Sequence, residues 1–314
     1  MILRHDFPDI HWLKHHIKRR FNLLTTSQDK ATPNGWPTVL LHVNTQQTYR
    51  QGIRGPFSLF YNLKGTSQVR VDGYSAAVRP GFFFLTNEAQ TYDLEIPHFA
   101  ETFNIHFGEQ LIGEVQTYLA QRLPYLLDHP VFENERPILF FNRIYPQSPA
   151  IRRLIGQIHY QSQINDLDPI WLEEKLYELL LCLLLLTQKD RLKIDQLPLL
   201  KRSTRAEIFK RLSLAVDLIY ATYDQAITLE ELAASAYFSK FHFLRLFKVA
   251  FGQSPYQFIS AIRIEKAKEW LRYTDWPIHL IATNIGLENT SSFSRLFCQK
   301  TGIYPAAFRK QYRK

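Results

Sequence analysis

Arg245 and Arg295 lie fifty residues apart, at equivalent positions of two similar segments in the last third of this sequence. A guanidinium group presents five N–H donors in a rigid planar fork, so it can donate two parallel hydrogen bonds to a pair of acceptors. Guanine offers such a pair in O6 and N7. These residues predict a surface that forms hydrogen bonds with nucleic acid, and the alternative at both positions is an ordinary exposed helix arginine.

The two segments are an internal repeat. Leu232 and Ala233 match Ile281 and Ala282 at an offset of 49, and after one inserted residue the offset becomes 50. So many ordered matches predict two copies of one structural unit. The identical pairs at the offset of 50 are Phe243 and Phe293, Arg245 and Arg295, Leu246 and Leu296, Phe247 and Phe297, Gly252 and Gly302, Pro255 and Pro305, and Phe258 and Phe308.

Each copy predicts a pair of helices joined by a brief turn. The first helix covers 229–236 in one copy and 278–285 in the other, with a small alanine where helices cross closely. Ser239 in the first copy, and Thr290 or Ser291 in the second, can cap the second helix. The phenylalanines of that second helix recur at i, i+4 and predict a buried face. The pattern is that of a helix-turn-helix, whose second helix enters the major groove of DNA.

The outward face of each second helix is the predicted contact surface. In the first copy, Phe241 and Leu244 either contact DNA or are partly buried against the neighbouring helix. Lys240 and Lys248 either contact phosphates or are merely solvated. In the second copy, Ser291, Ser294 and Arg295 point outward.

A long helix is predicted over 254–274, between the two copies. Such a connector would hold two recognition helices at a fixed separation. If that separation is about one DNA turn, ~34 Å, both helices enter successive major grooves on one face of the duplex.

The charge of the chain is concentrated in the same region. Residues 205–314 hold 16 of the 38 Lys and Arg but only 9 of the 29 Asp and Glu, so they account for +7 of the net +9. This asymmetry predicts a polyanionic partner, although a solvated basic surface would give the same count.

The region 208–314 resembles the DNA-binding domain of the AraC/XylS family of transcriptional regulators. Departures from the family pattern are Leu287, where Phe is usual, and Cys298, where Lys is common. The resemblance rests on Ser239, 246–248, Gly252, Arg263, Ala267, Leu271, Ile281, Ala282, Gly286, 293–295, Phe297, Gly302, Pro305 and Arg309. When the positions implied by the resemblance are added to those of the outward faces, the predicted DNA-contacting residues are Lys240, Phe241, Leu244, Arg245, Lys248, Thr290, Ser291, Ser292 and Arg295.

The first part of the chain predicts a β-rich domain. Short runs rich in Val, Phe, Tyr and Thr follow one another from Trp36 to Phe107, with turns at Asp72-Gly73 and Pro80-Gly81, and helical spacing begins at Glu109. These strands predict an antiparallel barrel or sandwich. The run 72–96 resembles, more weakly, the cupin-like domain that binds effectors and dimerises in the same family.

The predicted fold class is therefore α+β. A cupin-like antiparallel β-barrel with following helices covers 1–188, and a linker covers 189–206. An all-α DNA-binding domain, with two helix-turn-helix units joined by a long helix, covers 207–314.

An aromatic effector pocket is the predicted small-molecule site, and burial in the core is the alternative for each of its members. The candidates are Trp36, Tyr61, Phe83, Tyr92 and Phe103.

No metal or cofactor site is predicted. An enzymatic cupin needs two histidines in an H-x-H strand, a glutamate and a further histidine. His42, His98 and His106 are isolated in the sequence, and His11 and His15 have the i, i+4 spacing but no evident third ligand.

A leucine-dense helix follows the strands. Leu172, Leu176, Leu179 and Leu183 are spaced 4, 3 and 4, which is the a/d spacing of helices that pair, and they predict a dimer seam. Leu180, Leu181, Leu184 and Leu185 widen the apolar stripe, so a helix buried within its own chain is the open alternative.

The predicted function is a sequence-specific DNA-binding transcription regulator, not an enzyme, that responds to a small-molecule effector of unknown identity. Its predicted partners are double-stranded DNA, a second copy of the chain and RNA polymerase, with no membrane. The two cysteines, the lack of a signal peptide and the lack of an apolar run of ~20 residues predict a cytoplasmic protein. The alternatives are a metal-independent cupin-like enzyme fused to a regulatory DNA-binding domain, and an architectural DNA binder without an effector.

Overall fold

The structure is a computed structural model that describes residues 2–7, 36–88, 90–122, 140–164, 168–198 and 201–313. The chain divides into two compact units, Met1–Asp190 and Arg191–Lys314. No helix among the described residues is long and apolar enough to cross a membrane.

The described part of the first unit contains two β-sheets. One has the strand order β1-β2-β9-β4-β7-β10 and the other β3-β8-β5-β6. Neighbouring strands are antiparallel except β1, which is parallel to β2. The strands are β1 (Ile2–Arg4), β2 (Val39–Thr45), β3 (Thr48–Arg54), β4 (Ser58–Lys64), β5 (Ser67–Val71), β6 (Tyr74–Val78), β7 (Phe82–Thr86), β8 (Thr91–Ile96), β9 (Ala100–His106) and β10 (Ile144–Pro146).

The predicted strands are present, but the predicted cupin-like barrel is not confirmed. Among the described residues the strands form two sheets, and neither closes on itself. The turn at Asp72 and Gly73 has positive φ at both residues, 51° and 77°, as a tight hairpin requires. The runs predicted as strands, 38–43, 57–63, 67–74, 81–87, 91–96 and 102–107, leave out β1, β3, β6 and β10. All four lie at sheet edges, where strands are short or largely exposed.

Three helices pack against one face of the six-stranded sheet. They are α1 (Glu109–Arg122), α2 (Pro149–Ser162) and α3 (Pro169–Asp195). Leu40, Phe103 and Ile105 of the sheet and Ile155 and Leu176 of the helices lie in one buried hydrophobic core. In this core the apolar faces of the sheet and of the helices are buried away from water.

The structure contradicts the dimer seam that was predicted on the leucine-dense helix α3. Leu172, Leu176, Leu179 and Leu183 are at most 1% exposed within the single chain, and they lie in the core between α3 and the sheet. The prediction failed because an internal packing partner imposes the same apolar spacing on a helix as a second copy does. These four side chains therefore cannot form a seam between folded copies.

The segment predicted as a linker, 189–206, is largely helical. Helix α3 continues to Asp195, and α4 begins at Arg202. Within this helix, the buried carboxylate of Asp190 accepts hydrogen bonds from Arg143 at 2.8 Å and from the Tyr145 hydroxyl at 3.3 Å. A charged residue such as Asp190 suggested a loop by composition, but in the structure its side chain is buried and paired.

All secondary-structure elements among the described residues of the second unit are helices. Predicted and observed ends of the short helices agree within one residue. The helices are α4 (Arg202–Thr222), α5 (Leu229–Ser235), α6 (Lys240–Phe251), α7 (Pro255–Tyr273), α8 (Ile278–Asn284), α9 (Thr290–Thr301) and α10 (Pro305–Tyr312).

Candidate functional site

The turns before α6 and before α9 share one geometry. Tyr237 and Gly286 occupy equivalent positions and have φ of 55° and 77°. The next residue donates its N–H to the carbonyl oxygen of Ala233 in one copy and Ala282 in the other, at 2.9 Å in both. A Cβ at Gly286 would lie 2.6 Å from the Asp224 carbonyl oxygen, so only glycine fits that turn. The repeat in sequence is therefore also a repeat in backbone structure.

Arg211 on α4 holds the first of these turns. Its Nε donates to the Ala236 carbonyl at 3.1 Å, and its Nη2 donates to the Tyr237 carbonyl. Its guanidinium carbon lies 4.0 Å from the centre of the Phe238 ring. Sequence analysis missed this positioning residue, because its targets are backbone carbonyls and leave no pattern of residue types.

The start of α9 corrects the predicted cap. Asn289, rather than Thr290 or Ser291, is the N-cap, and its Oδ1 accepts from the N–H groups of Ser291 at 2.8 Å and Ser292 at 3.0 Å. Ser239 is the N-cap of α6 by position but makes no side-chain capping bond.

The ends of α6 and α9 are as predicted. Gly252 and Gly302 end them in the left-handed conformation, with φ of 71° and 82°.

The inner faces of α6 and α9 set how each helix is rotated. Phe243 and Phe247 on α6, and Phe293 and Phe297 on α9, are completely buried. The rings of each pair lie 5.4 to 5.6 Å apart, and Phe297 also meets the Phe308 ring edge-on at 5.3 Å. With these faces anchored, the opposite stripe of each helix must point into solvent.

The predicted contact residues lie on that outward stripe. Arg245, Lys248 and Arg295 are exposed, and within the described part of the chain no hydrogen bond or ion pair engages the side chain of any of the three. Phe241 is 84% exposed. Leu244 is half-buried, which agrees with the packing alternative for it.

The remaining candidates differ in exposure and in whether the side chain is paired. Lys240 is exposed but forms an ion pair with Glu230 on α5. Ser291 and Ser292 are exposed in the first turn of α9, whereas Thr290 is half-buried. Surface ion pairs are weak, so a phosphate can compete with Glu230 for Lys240.

A cavity with an open mouth lies in the first unit. Of the five aromatic residues predicted as an effector pocket, Trp36 and Tyr92 line it. Tyr61, Phe83 and Phe103 instead lie in the core between sheet and helices. The residues along the cavity are Phe7, Trp36, Val39, Leu41, Arg50, Ile53, Arg54, Gly55, Pro56, Phe60, Tyr92, Leu94, Asn104 and His106.

Polar groups interrupt the apolar wall of this cavity. Burial lowers the pKa of His106 to about 4, so its ring is neutral near pH 7, and Nδ1 lies 2.8 Å from the Ser58 hydroxyl. Burial also raises the pKa of Tyr92, while the nearby Arg50 opposes that rise. The cavity therefore presents neutral hydrogen-bonding groups together with arginine charge.

The histidines predicted as isolated have different surroundings. His98 is exposed, and His11 and His15 lie outside the described residues. The prediction that His42 is isolated is wrong, because the fold places it against Glu101 and His159. Burial disfavours ionisation of Glu101, but hydrogen bonds from Lys64 and His42 outweigh it and hold the pKa of that carboxyl below its usual value.

The match to a family model lies in the second unit. Residues 232–311 match a family described as helix-turn-helix domain. Regulatory protein PocR of Salmonella typhimurium is 34% identical over 97 residues, which cover 31% of this chain and 32% of PocR. The MmsAB operon regulatory protein of Pseudomonas aeruginosa is 34% identical over 87 residues, 28% of either chain. The chain thus matches about a third of the length of these curated relatives.

One similar solved structure is the C-terminal domain of AraT, a response regulator from Geobacillus stearothermophilus. It is 30% identical, and the match covers 33% of this chain and 87% of that one with a TM-score of 0.32.

Proposed function

We propose that this chain, whose C-terminal region is an AraC-type helix-turn-helix domain, is a sequence-specific regulator of transcription that responds to a small molecule bound in its first unit. The observation that carries the proposal is the pair Arg245 and Arg295, exposed at equivalent positions of two outward helix faces. The relatives named above are regulatory proteins, which supports a regulator rather than the enzymatic alternative. Contact with RNA polymerase and assembly as a homodimer stay predictions.

Different side chains on the outward stripes have different roles in this proposal. Arg245 and Arg295 donate paired hydrogen bonds to guanine, and the exposed ring of Phe241 packs against a thymine methyl group. Lys248 contacts phosphate, which positions the protein without selecting sequence. Ser291 and Ser292 lie at the start of α9, the part of a recognition helix that meets base edges.

DNA binding is tested with the full chain on genomic DNA fragments. We expect it to retain a small set of fragments that share a sequence. Affinity for them should fall steeply between 50 and 200 mM salt, because each phosphate contact adds ~0.9 to the slope of log affinity against log salt. Equal retention of all fragments, or an affinity that does not change with salt, would contradict the proposal.

The cavity suggests what kind of small molecule acts as effector. Its walls are mostly aliphatic and aromatic, and Arg50 and Arg54 border it. Arg50 is half-buried, with its guanidinium carbon 5.3 Å from the centre of the Phe7 ring. Apolar walls and a partly buried positive charge suit a small apolar molecule that carries a carboxylate.

Thermal unfolding of the full chain tests the effector class. Aromatic and aliphatic monocarboxylic acids should raise the unfolding temperature more than the matching uncharged amides, because only the acids pair with Arg50. Arg50→Gln should abolish this difference, whereas Arg70→Gln, on β5 and away from the cavity lining, should preserve it. Equal stabilisation by acids and amides would refute the role of Arg50.

A further inference from the structure

Three polar side chains from distant parts of the sequence meet beside the sheet. His42 lies on β2, Glu101 on β9 and His159 on α2. One ligand atom from each residue lies within 4.8 Å of the other two. None of the three is among the predicted DNA-contacting residues or among the residues that line the cavity.

The strand register explains why the first two meet. In the β2–β9 pair, His42 is directly opposite Phe103. Glu101, two residues before Phe103, points to the same face, because side chains alternate along a strand. Helix α2 packs on that face, and the ring centres of His42 and His159 are 4.7 Å apart and those of Phe103 and His159 5.0 Å.

The distance between His42 and Glu101 suits a bound cation. His42 Nε2 and Glu101 Oε1 are 3.1 Å apart, and two ligands on a tetrahedral ion with bonds of about 2.0–2.1 Å are themselves about 3.3 Å apart. Lys64 pairs at 3.1 Å with Oε2, the other oxygen of Glu101, so Oε1 is the oxygen that faces the histidines.

His159 supplies an independent sign of a missing partner. Its Nε2 is buried, and among the described residues it has no hydrogen-bond partner. A buried polar atom without a partner costs free energy, and such an atom commonly binds an ion or a water molecule.

We propose that His42, Glu101 and His159 bind a divalent transition-metal ion, with Zn²⁺ the best match. Two imidazoles and one carboxylate are the donor set of open zinc sites, whereas Ca²⁺ and Mg²⁺ prefer oxygen ligands throughout. The fourth position is left to water or to His5, whose ring centre is 6.0 Å from that of His42. Bound metal ties α2 to β2 and β9.

This site is separate from the effector cavity. Val39 and Leu41 on β2, and Asn104 and His106 on β9, line the cavity. His42 and Glu101 alternate with them and point to the opposite face of the sheet, where α2 lies. A metal ion there acts on the packing of α2 and does not contact a ligand in the cavity.

Metal titration of the full chain, first treated with a chelator, tests the proposal. Calorimetry with Zn²⁺ should give one equivalent bound, and Co²⁺ should give the visible absorption of a four-coordinate site. His159→Gln and Glu101→Gln should each weaken Zn²⁺ binding at least tenfold. His98→Gln removes an exposed histidine outside the cluster and should leave binding unchanged.

Two results would overturn the proposal. One is the absence of stoichiometric Zn²⁺ binding by the folded full chain, which would leave a hydrogen-bonded His42–Glu101 pair. The other is binding that persists in folded Glu101→Gln protein, a variant of nearly unchanged size that remains informative if His159→Gln fails to fold. Circular dichroism establishes folding of each variant, and DNA retention, measured separately, tests the regulator assignment independently of the metal.

Discussion

Replacing Arg245 or Arg295 by alanine should lower affinity for the selected DNA by about 5- to 150-fold, because a bidentate arginine–guanine contact contributes ~1–3 kcal/mol of discrimination. Affinity for random DNA should fall much less. Both side chains are exposed and have no intramolecular hydrogen bond or ion pair within the described ranges, so their loss should not affect folding. The two variants should also relax different positions of the preferred sequence, since Arg245 lies on α6 and Arg295 on α9.

Binding-site selection on each variant in parallel measures this. Lys248→Ala is the matched control on α6, because a lost phosphate contact should weaken selected and random DNA alike. The two-groove assignment would be wrong if both arginine variants relaxed the same positions. It would also be wrong if base preference remained unchanged in both.

Leu179→Glu should unfold the first unit. Leu179 is completely buried in the core between α3 and the sheet. Removal of a buried leucine alone costs 2–5 kcal/mol, and the buried carboxylate adds several more. That total is comparable to the whole stability of a typical domain.

Leu185→Glu is the control on the same helix, since Leu185 is 54% exposed and a charge there remains in water. Urea unfolding followed by circular dichroism should show loss of the β-rich transition in Leu179→Glu and a nearly unchanged curve in Leu185→Glu. If Leu179→Glu instead gave a folded monomer while the parent chain was a dimer, the seam predicted from the leucine spacing would be right and the internal core wrong.

Helices α6 and α9 could be predicted from the sequence because the determining signals are local. The spacing of Phe243 and Phe247 predicts the buried face of α6, and glycines at positions of positive φ predict where α6 and α9 end. The repetition of these signals fifty residues later identifies the second copy. The cap of α9 was misplaced by one or two residues, because Asn289 and the hydroxyl residues after it can all accept backbone hydrogen bonds.

For the strands, local signals do not specify which face of the sheet is covered by helices. Alternation along β4 and β9 shows that successive side chains point to opposite faces, but it does not reveal what covers each face. Phe103 and Asn104 are adjacent in sequence, yet one packs against helices and the other lines the cavity. For the same reason an aromatic residue such as Phe83 could be proposed for the effector pocket when it belongs to the core.

Sequence alone therefore determined the helical repeat, the outward arginines and the β-rich character of the first unit, since each depends on local patterns of residue types and, for the repeat, on their recurrence fifty residues later. Only the tertiary structure decided that Leu179 is internal, because a helix has the same apolar spacing whether its partner is its own sheet or another copy. It also brought His42, Glu101 and His159 together across more than fifty residues at each step. Contacts over such separations arise from strand register and helix docking, which no local pattern of residue types specifies.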